Sequence, residues 1–465
     1  MKIEDFKNKK VTVMGLGLHG GGIGTVRFLS GAGAKVIVTD LKSKEELAPS
    51  LEKLKDLKGV EYVLGQHRPE DFTGADMIVK TPPVPWNNKY IKLALEKNIP
   101  VEVDSSLFFK LCKNPIVGIT GTRGKTTTAS LIYEILKEAG KNTIKAGIGQ
   151  IPVLSKLEKL KKDSIVVFEL SSWRLSALGR CKLSPQVAVI TNIYRDHLNY
   201  YKTMEDYAAD KRNIFLHQKP EDTCVINWDN EITMDMTGEV KSNLVKFSVN
   251  KISGGQAVFV ENKAIYFNNG VDEKKVMDIA DIKIRGIHNI PNILAAIGAC
   301  AALGVDLASM KKAITNFAGI AHRLEFVGEF GGVKYFNDTA ATSPEGALAG
   351  INSFSEPIIL ISGGADKNLD VSELGEAIAE KVKAVVFLKG TATEKIISEV
   401  KKHITADGEK EFVIVDSMAK AVELARGSAE TGDVVLLSPG VASFGLFANE
   451  FDRGDKFKEA VKGLK

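Results

Sequence analysis

A chain of 465 residues exceeds what a single hydrophobic core holds, so two to four domains are expected. Hydrophobic residues make up 44% and charged residues 26%, a globular balance that excludes a disordered chain. The 62 basic residues are offset by 58 acidic ones, and a net charge of +4 gives no electrostatic case for binding nucleic acid.

The opening "MKIEDFKNKK" is charged and runs into a strand pattern, so a signal peptide is not expected. No apolar run reaches the roughly 18 residues of a membrane span. Cys112, Cys181, Cys224 and Cys300 are scattered, with no Cys-x-x-Cys pair, which suits a reducing compartment and argues against a zinc ribbon. The expectation is a cytoplasmic protein with neither a membrane nor a nucleic-acid partner.

The first hundred residues carry three β-rich runs, "KKVTVMGLG", "AKVIVTD" and "ADMIVKTP", and predict a small Rossmann-like α/β domain over 1–105. Gly15-x-Gly17-x-x-Gly20 closes the first run and opens a helix, and Asp40 ends the second run. Glycines at that spacing let the backbone approach a diphosphate at a helix N-terminus. A nicotinamide dinucleotide satisfies the pattern, so an NAD(P)-dependent oxidoreductase is one reading, but no hydride-transfer site accompanies it. Another diphosphate ligand, or a turn kept only for tight βα packing, are the others.

A second α/β domain with a parallel sheet is expected over 106–320. "PIVGITGT", "SIVVFELSS" and "QVAVITNI" are continuous apolar runs, as in strands buried on both faces. The first leads into Gly121-Thr122-Arg123-Gly124-Lys125-Thr126-Thr127 at the start of a helix. Backbone N–H groups there can cradle phosphates, the lysine can reach the outer oxygens, and a hydroxyl can hold Mg²⁺. The strict P-loop spacing wants glycine at position 119, where Ile119 stands between Gly118 and Gly121. Glu169 ends the second run, where an unpaired carboxylate would be costly and a metal would offset the cost. Asn192, Asp196 and His197 follow the third run in "TNIYRDHL", in position to join the same edge. A P-loop kinase or regulatory NTPase would account for this block alone.

Between Lys241 and Asp281 the pattern becomes hairpin-like, with Gly254-Gly255 as one turn and "FNNGVD" as another. A third Rossmann-like domain is expected over 321–465, where "PIILISGG", "KAVVFLKG", "EFVIVDS" and "DVVLLSPG" alternate with helical segments.

Taken in order, "GITGTRGKTTT", "FELSSW", "NIYRDHL", "YAADKRNIF", "GIHNIPNILAA", "AHRLEF", "NDTAATSPEGA" and "LLSPGVASFGLFANEFDRG" resemble the Mur ligase family. These are ATP-dependent amide-forming enzymes of peptidoglycan synthesis, and the likeness spans all three blocks. "GLGLHG" and "HRLEF…NDTAAT" look most like its D-glutamate-adding members. The resemblance implies UDP-N-acetylmuramoyl-L-alanine, glutamate and ATP as substrates, an acyl-phosphate intermediate, and a monomer. It implies that Gly17, Leu18, His19, Asp40 and Thr81 hold the uridine diphosphate. Residues 121–127, with Asn289, Asn292, Arg323 and Asp338, would hold ATP. Thr342, Lys367 and Ser443 would face the amino acid. Lys125, His197 and Lys211 would be catalytic.

Two Mg²⁺ ions are implied, one at Thr126 and Glu169, the other at His197 and Lys211. From its residues alone Lys211 reads as a helix-surface lysine. In the family the matching lysine is carbamylated by CO₂, which turns a cation into an anion that can face a metal. The base that takes the amine proton is not assigned, since His197 as a metal ligand would be a poor one. Three positions depart from the family pattern. Ala340 stands where lysine is usual, Glu450 where an aromatic is common, and "AGIGQIP" replaces a "GNIG" loop. All lie on the acceptor or carboxylate side, and they leave an L-glutamate-adding relative as the alternative.

Overall fold

The computed structural model describes every residue except 19, 150, 198–199, 405–411 and 465. It contains three α/β domains, each built on one sheet. The first sheet has five strands: β1 (Lys10–Met14), β2 (Lys35–Asp40), β3 (Glu61–Leu64), β4 (Met77–Lys80) and β5 (Val101–Glu102). All pair in parallel in the order β3-β2-β1-β4-β5. In β1, Val11 to Met14 are all buried, because both faces of the sheet are covered.

The second sheet has nine strands. They are β6 (Ile116–Thr120), β7 (Thr143–Ala146), β8 (Ile165–Glu169), β9 (Val187–Ile190), β10 (Thr223–Asn227), β11 (Asn243–Ser248), β12 (Gln256–Glu261), β13 (Ala264–Asn269) and β14 (Glu273–Asp278). Their order is β14-β13-β12-β11-β10-β9-β6-β8-β7. The pairing is parallel from β7 across to β12 and antiparallel through β13 and β14.

One expectation is overturned here. Gly254 and Gly255 do not form a hairpin turn, because β11 and β12, which they separate, are parallel. The turn between antiparallel β12 and β13 falls at Asn262 and Lys263, with φ of 49° and 59°. A glycine pair marks where the backbone can take positive φ, and Gly254 and Gly255 do take it, but that freedom leaves strand direction open. "FNNGVD" does turn β13 into β14.

The third sheet comprises β15 (Glu325–Phe330), β16 (Val333–Asn337), β17 (Ile358–Ser362), β18 (Val382–Leu388), β19 (Val413–Val415) and β20 (Val434–Leu437). Its order is β15-β16-β20-β17-β18-β19, with β15 antiparallel at the edge. The chain divides into two compact units. Unit 1 holds the first two sheets in Met1–Asp281 and Pro291–Thr315, and unit 2 holds the third in Ile282–Ile290 and Asn316–Lys465. Among the described residues no helix is long and apolar enough to cross a membrane.

Within unit 1 the two sheets share one hydrophobic core. Val11, Val13, Val26 and Val36 of the first domain join Ile116, Val166, Phe168 and Leu175 of the second. The contact is close enough that a Cβ on Gly24 would lie 2.0 Å from Pro152. A buried ion pair crosses the same joint. Arg174, on the helix Ser172–Arg180, donates to Asp104 through Nη2 at 2.8 Å and Nε at 3.3 Å. The Arg174 and Asp104 side chains are only 18% and 7% exposed, so removing one partner strands the other charge in a poorly solvated place.

Arg174→Ala is expected to lower the stability of unit 1 by about 3 kcal/mol in urea unfolding. The double variant with Asp104→Ala should lose clearly less than the sum of the two single changes.

Candidate active site

In an open parallel sheet, ligands gather beyond the carboxyl ends of the strands, where the strand order reverses. The first sheet reverses between β1 and β4, and the first glycine loop leaves β1 at that point. The loop is pinned from both sides. Asp40 Oδ2 accepts the Leu16 and Gly17 N–H groups at 2.8 and 3.0 Å, and the Ser50 hydroxyl donates to the Gly17 carbonyl at 2.6 Å. The carboxylate at the end of β2 is therefore occupied by the loop's own backbone. A nicotinamide dinucleotide would want it for a ribose hydroxyl.

Gly17 has φ +58°, and a Cβ there would meet nothing within 4 Å, so the loop presents an open backbone face. Thr81, at the end of β4, closes the other side, with Oγ1 only 2.4 Å from where a Gly15 Cβ would stand. Leu18 is 42% exposed beside it. His19 lies outside the described residues.

The second sheet reverses around β6, which lies between β9 and β8. All three strand ends deliver groups to the same edge. Gly124 caps the helix Lys125–Glu138 with φ +81°, leaving no room for a side chain: a Cβ would sit 2.1 Å from Asn292 Oδ1. Asn292 also accepts from the Thr128 hydroxyl at 3.4 Å. The segment after β9 clamps the loop, with Asn192 Oδ1 accepting the Arg123 N–H at 2.9 Å and Thr191 Oγ1 donating to the Arg123 carbonyl at 2.6 Å. Lys125 curls over the loop, donating to the Gly121 and Thr122 carbonyls at 2.9 and 3.0 Å. Thr127 lies half-buried in the first turn of the same helix.

Thr126 Oγ1 donates to Glu169 Oε2 at 2.9 Å, joining the helix start to the end of β8. No group of three or more His, Cys, Asp or Glu residues forms a metal cage among the described residues. One hydroxyl and one carboxylate beside a phosphate cradle fit Mg²⁺, which keeps waters and takes phosphate oxygens.

Lys211, in the last turn of the helix Met204–Arg212, is 1% exposed and so is not the surface lysine its sequence context suggests. Its ammonium donates to the Gly121 carbonyl at 2.9 Å and lies 4.6 Å over the Tyr207 ring. Burial, reinforced by Lys125, holds it well below the ordinary lysine range. Tyr207 Oη is 3.3 Å from Thr122 Oγ1. His197 takes φ +55°, and its ring lies 5.1 Å from Trp173 and 5.9 Å from Tyr207. Burial lowers its pKa against the pull of Asp196, and Lys211, Lys125 and Arg123 lower it further. Lys125, Arg123 and a helix N-terminus thus converge on one strand edge, and such a concentration of positive charge can hold a polyphosphate.

Unit 2 gathers a second set of residues beyond its own strand ends. Asp338, just past β16, accepts from Leu324 N–H at 3.2 Å and Ser438 Oγ at 2.8 Å. Burial raises its pKa to about 7, opposed by those bonds and by Arg323. Asn289 donates to the Arg285 carbonyl at 2.6 Å. Thr342 follows β16, Lys367 follows β17 with its ammonium 5.8 Å from the Phe444 ring, and buried Ser443 follows β20.

Arg453 holds two of these loops together. Its side chain is fully buried, with Nε donating to Thr339 Oγ1 at 2.9 Å and Nη2 to the Thr339 carbonyl at 3.0 Å. Nη1 reaches the Val441 carbonyl at 3.3 Å. Burial without a tightly bonded carboxylate brings its pKa down to about 10, with Glu450 opposing. Ser50, Thr191 and Arg453 were not singled out by sequence reasoning. A hydroxyl that ends an apolar run and an arginine inside the otherwise amphipathic "NEFDRGDKF" were the only signals.

Comparison with known proteins covers the whole chain. Residues 9–102 match the Mur ligase MurD-like N-terminal domain, 119–300 the Mur ligase middle domain, and 322–441 the Mur ligase glutamate ligase domain. A UDP-N-acetylmuramoylalanine–D-glutamate ligase from Roseiflexus sp. is 41% identical over 98% of this chain and 99% of its own. One from Acetivibrio thermocellus is 38% identical over 100% and 99%. Among solved structures, MurC from Thermotoga maritima superposes with a TM-score of 0.60 at 21% identity, covering 98% of this chain and 100% of that one. A pseudomurein peptide ligase from Methanothermus fervidus gives 0.55 at 20% identity over 98% and 100%. These two structures share the fold.

Arg453→Ala would leave the Thr339 and Val441 carbonyls without their donor in a buried place. It is expected to destabilise unit 2 by roughly 2–4 kcal/mol, measured by hydrogen exchange of its strand amides.

Proposed function

The chain belongs to the Mur ligase family, and we propose that it joins D-glutamate to the alanyl carboxylate of UDP-N-acetylmuramoyl-L-alanine, driven by ATP, in peptidoglycan-precursor synthesis. Full-length identity of 38% and 41% with ligases of that name carries the reading. Two phosphate-type loops within one unit support it, because the reaction brings together a sugar diphosphate and a nucleoside triphosphate. The four cysteines are free, in keeping with a cytoplasmic setting, and a chain that holds both loops itself is read as a monomer.

A carboxylate does not condense with an amine in water until its oxygen becomes a good leaving group. The alanyl carboxylate oxygen attacks the γ-phosphorus, the bond to ADP breaks, and an acyl phosphate forms. The glutamate nitrogen then attacks the carbonyl carbon, phosphate leaves, and the nitrogen gives up a proton. The first step drives two anions together, so positive charge has to be placed between them. Lys125, with the loop of Gly121, Thr122, Arg123 and Gly124, takes the triphosphate, and Thr126 and Thr127 begin the helix beneath it. Thr126 and Glu169 would hold one Mg²⁺, and His197 with a modified Lys211 a second; magnesium there supplies charge neutralisation for the transferring phosphoryl group.

Gly17, Leu18, His19 and Thr81 hold the uridine diphosphate, and Asp40 shapes the loop that does so. Asn289, Asn292, Arg323 and Asp338 serve the rest of ATP, and Thr342, Lys367 and Ser443 the incoming glutamate. Lys211 acts as a carbamate. Its neutral amine adds to CO₂, forming an N–C bond and releasing one proton, and the resulting oxygens suit a hard cation where an ammonium would repel it. Its burial beside Lys125 supports this, since an unmodified cation has poor company there.

Phosphate release from ATP, Mg²⁺ and the sugar nucleotide is measured with each amino acid in turn. D-glutamate is expected to stimulate it. Stronger stimulation by L-glutamate would move the acceptor, and release without any amino acid would favour a simple NTPase. Lys125→Ala should keep its fold and lose at least ~10³-fold in turnover, the scale of removing a main electrostatic stabiliser. Lys211→Ala should be nearly inactive and partly restored by acetate, which refills the space with negative charge. Lys211→Arg should not be restored, because its cation and bulk remain.

A further inference from the structure

The segment that follows β4 begins with Thr81-Pro82-Pro83-Val84 and ends at Trp86. Two consecutive prolines leave this turn short of N–H donors, so its backbone can do little to anchor itself. One internal bond closes it, from Val84 N–H to the Thr81 carbonyl at 3.1 Å.

The missing donors come from Lys80. This last residue of β4 is 1% exposed and pairs in register with Met14, the residue before the first glycine loop. Its ammonium bonds to carbonyl oxygens rather than to a carboxylate: Val84 O at 2.8 Å and Pro82 O at 3.3 Å. It also lies 4.3 Å from the centre of the Trp86 ring. The Arg180 guanidinium also packs on that indole, at 4.3 Å from the ring centre. Trp86 Nε1–H donates to Ser176 Oγ at 3.1 Å, and Ser176 in turn hydrogen-bonds Asp210. Arg180 and Ser176 belong to the helix after Glu169, and Asp210 precedes Lys211. An ammonium buried among carbonyls, with no carboxylate bonded to it, is a costly arrangement unless it holds something in place, and the contact with the indole offsets part of that cost.

We propose that Lys80 and Trp86 are positioning residues for the sugar nucleotide, Lys80 holding the Thr81–Val84 turn in its binding form and Trp86 tying that turn to the central domain. This rests on reading the first glycine loop and Thr81 as the sugar-nucleotide site. Neither residue touches the reacting atoms. Lys80 is drawn down to about 8 by burial and by Arg180, against the pull of Asp104 and Asp210, so its charge is lost within an accessible pH range.

Binding of UDP-N-acetylmuramoyl-L-alanine is measured by calorimetry on the full chain, without ATP, from about pH 7 to about pH 9. The unaltered protein is expected to bind about tenfold more weakly at the upper end, as the ammonium loses its charge. Lys80→Met should bind about tenfold more weakly at pH 7 and show no comparable fall with pH. Trp86→Phe keeps a packed ring but loses the N–H. It should weaken the sugar nucleotide about fivefold while the Michaelis constant for ATP stays within about twofold. Because the pH series needs no variant and the phenylalanine preserves packing, misfolding of Lys80→Met would not rescue or sink the proposal. Unaltered affinity in Trp86→Phe together with a flat pH series in the parent overturns it. No binding to the parent at any pH overturns the sugar-nucleotide reading itself, a different result.

Discussion

Parallel pairing is the constraint on which the rest of the molecule depends. Parallel strands must all return on the same side, so their carboxyl ends, and the loops that follow, collect along one edge. Where the order reverses, neighbouring loops run off in opposite directions and leave a crevice. Unit 1 has two such points, at β1 and β4 in its first sheet and around β6 in its second. The glycine loop and Thr81 meet at one; Lys125, Glu169 and His197 come to the other. In a purely antiparallel sheet, successive strand ends would face opposite edges and the same residues would be scattered.

Charge is the second organising force. The P-loop edge assembles Lys125 and Arg123 around a helix N-terminus, and burial beside Lys125 holds the Lys211 pKa well below the ordinary lysine range. Carboxylates elsewhere serve the backbone instead. Asp40 collects amides from the first glycine loop, and Asp338, just past β16, accepts from Ser438 beyond β20 and from Leu324 before β15. Arg453 plays the converse part, a buried cation that collects carbonyls. In each case one charged side chain replaces several missing backbone partners, which is how irregular loops remain ordered beside a binding edge.

Much of this was legible in the residues. Gly124-Lys125-Thr126 after an apolar run signals a phosphate cradle because few other uses exist for that order of residue types. Glu169 at the end of "IVVFE" is conspicuous because an unpaired carboxylate at such a place is costly. Four strands of the third block, β17 to β20, were readable as Val, Ile and Leu runs, whereas β15 and β16 carry no such run. Gly254-Gly255 misled because local flexibility says nothing about which way the next strand runs.

By itself, then, the order of residues determined the three α/β blocks, the two loops and the strand ends that serve them, since these are local properties: apolar runs, glycine spacing, a charge at a boundary. Only the tertiary structure decided what depends on neighbours distant in the chain. It buried Lys211 under a carbonyl 90 residues away, gave Asp40 to backbone amides, and packed both Lys80 and Arg180 on the Trp86 indole. A lysine's burial, unlike its helical position, is set by what packs on it, and no short window of sequence contains that.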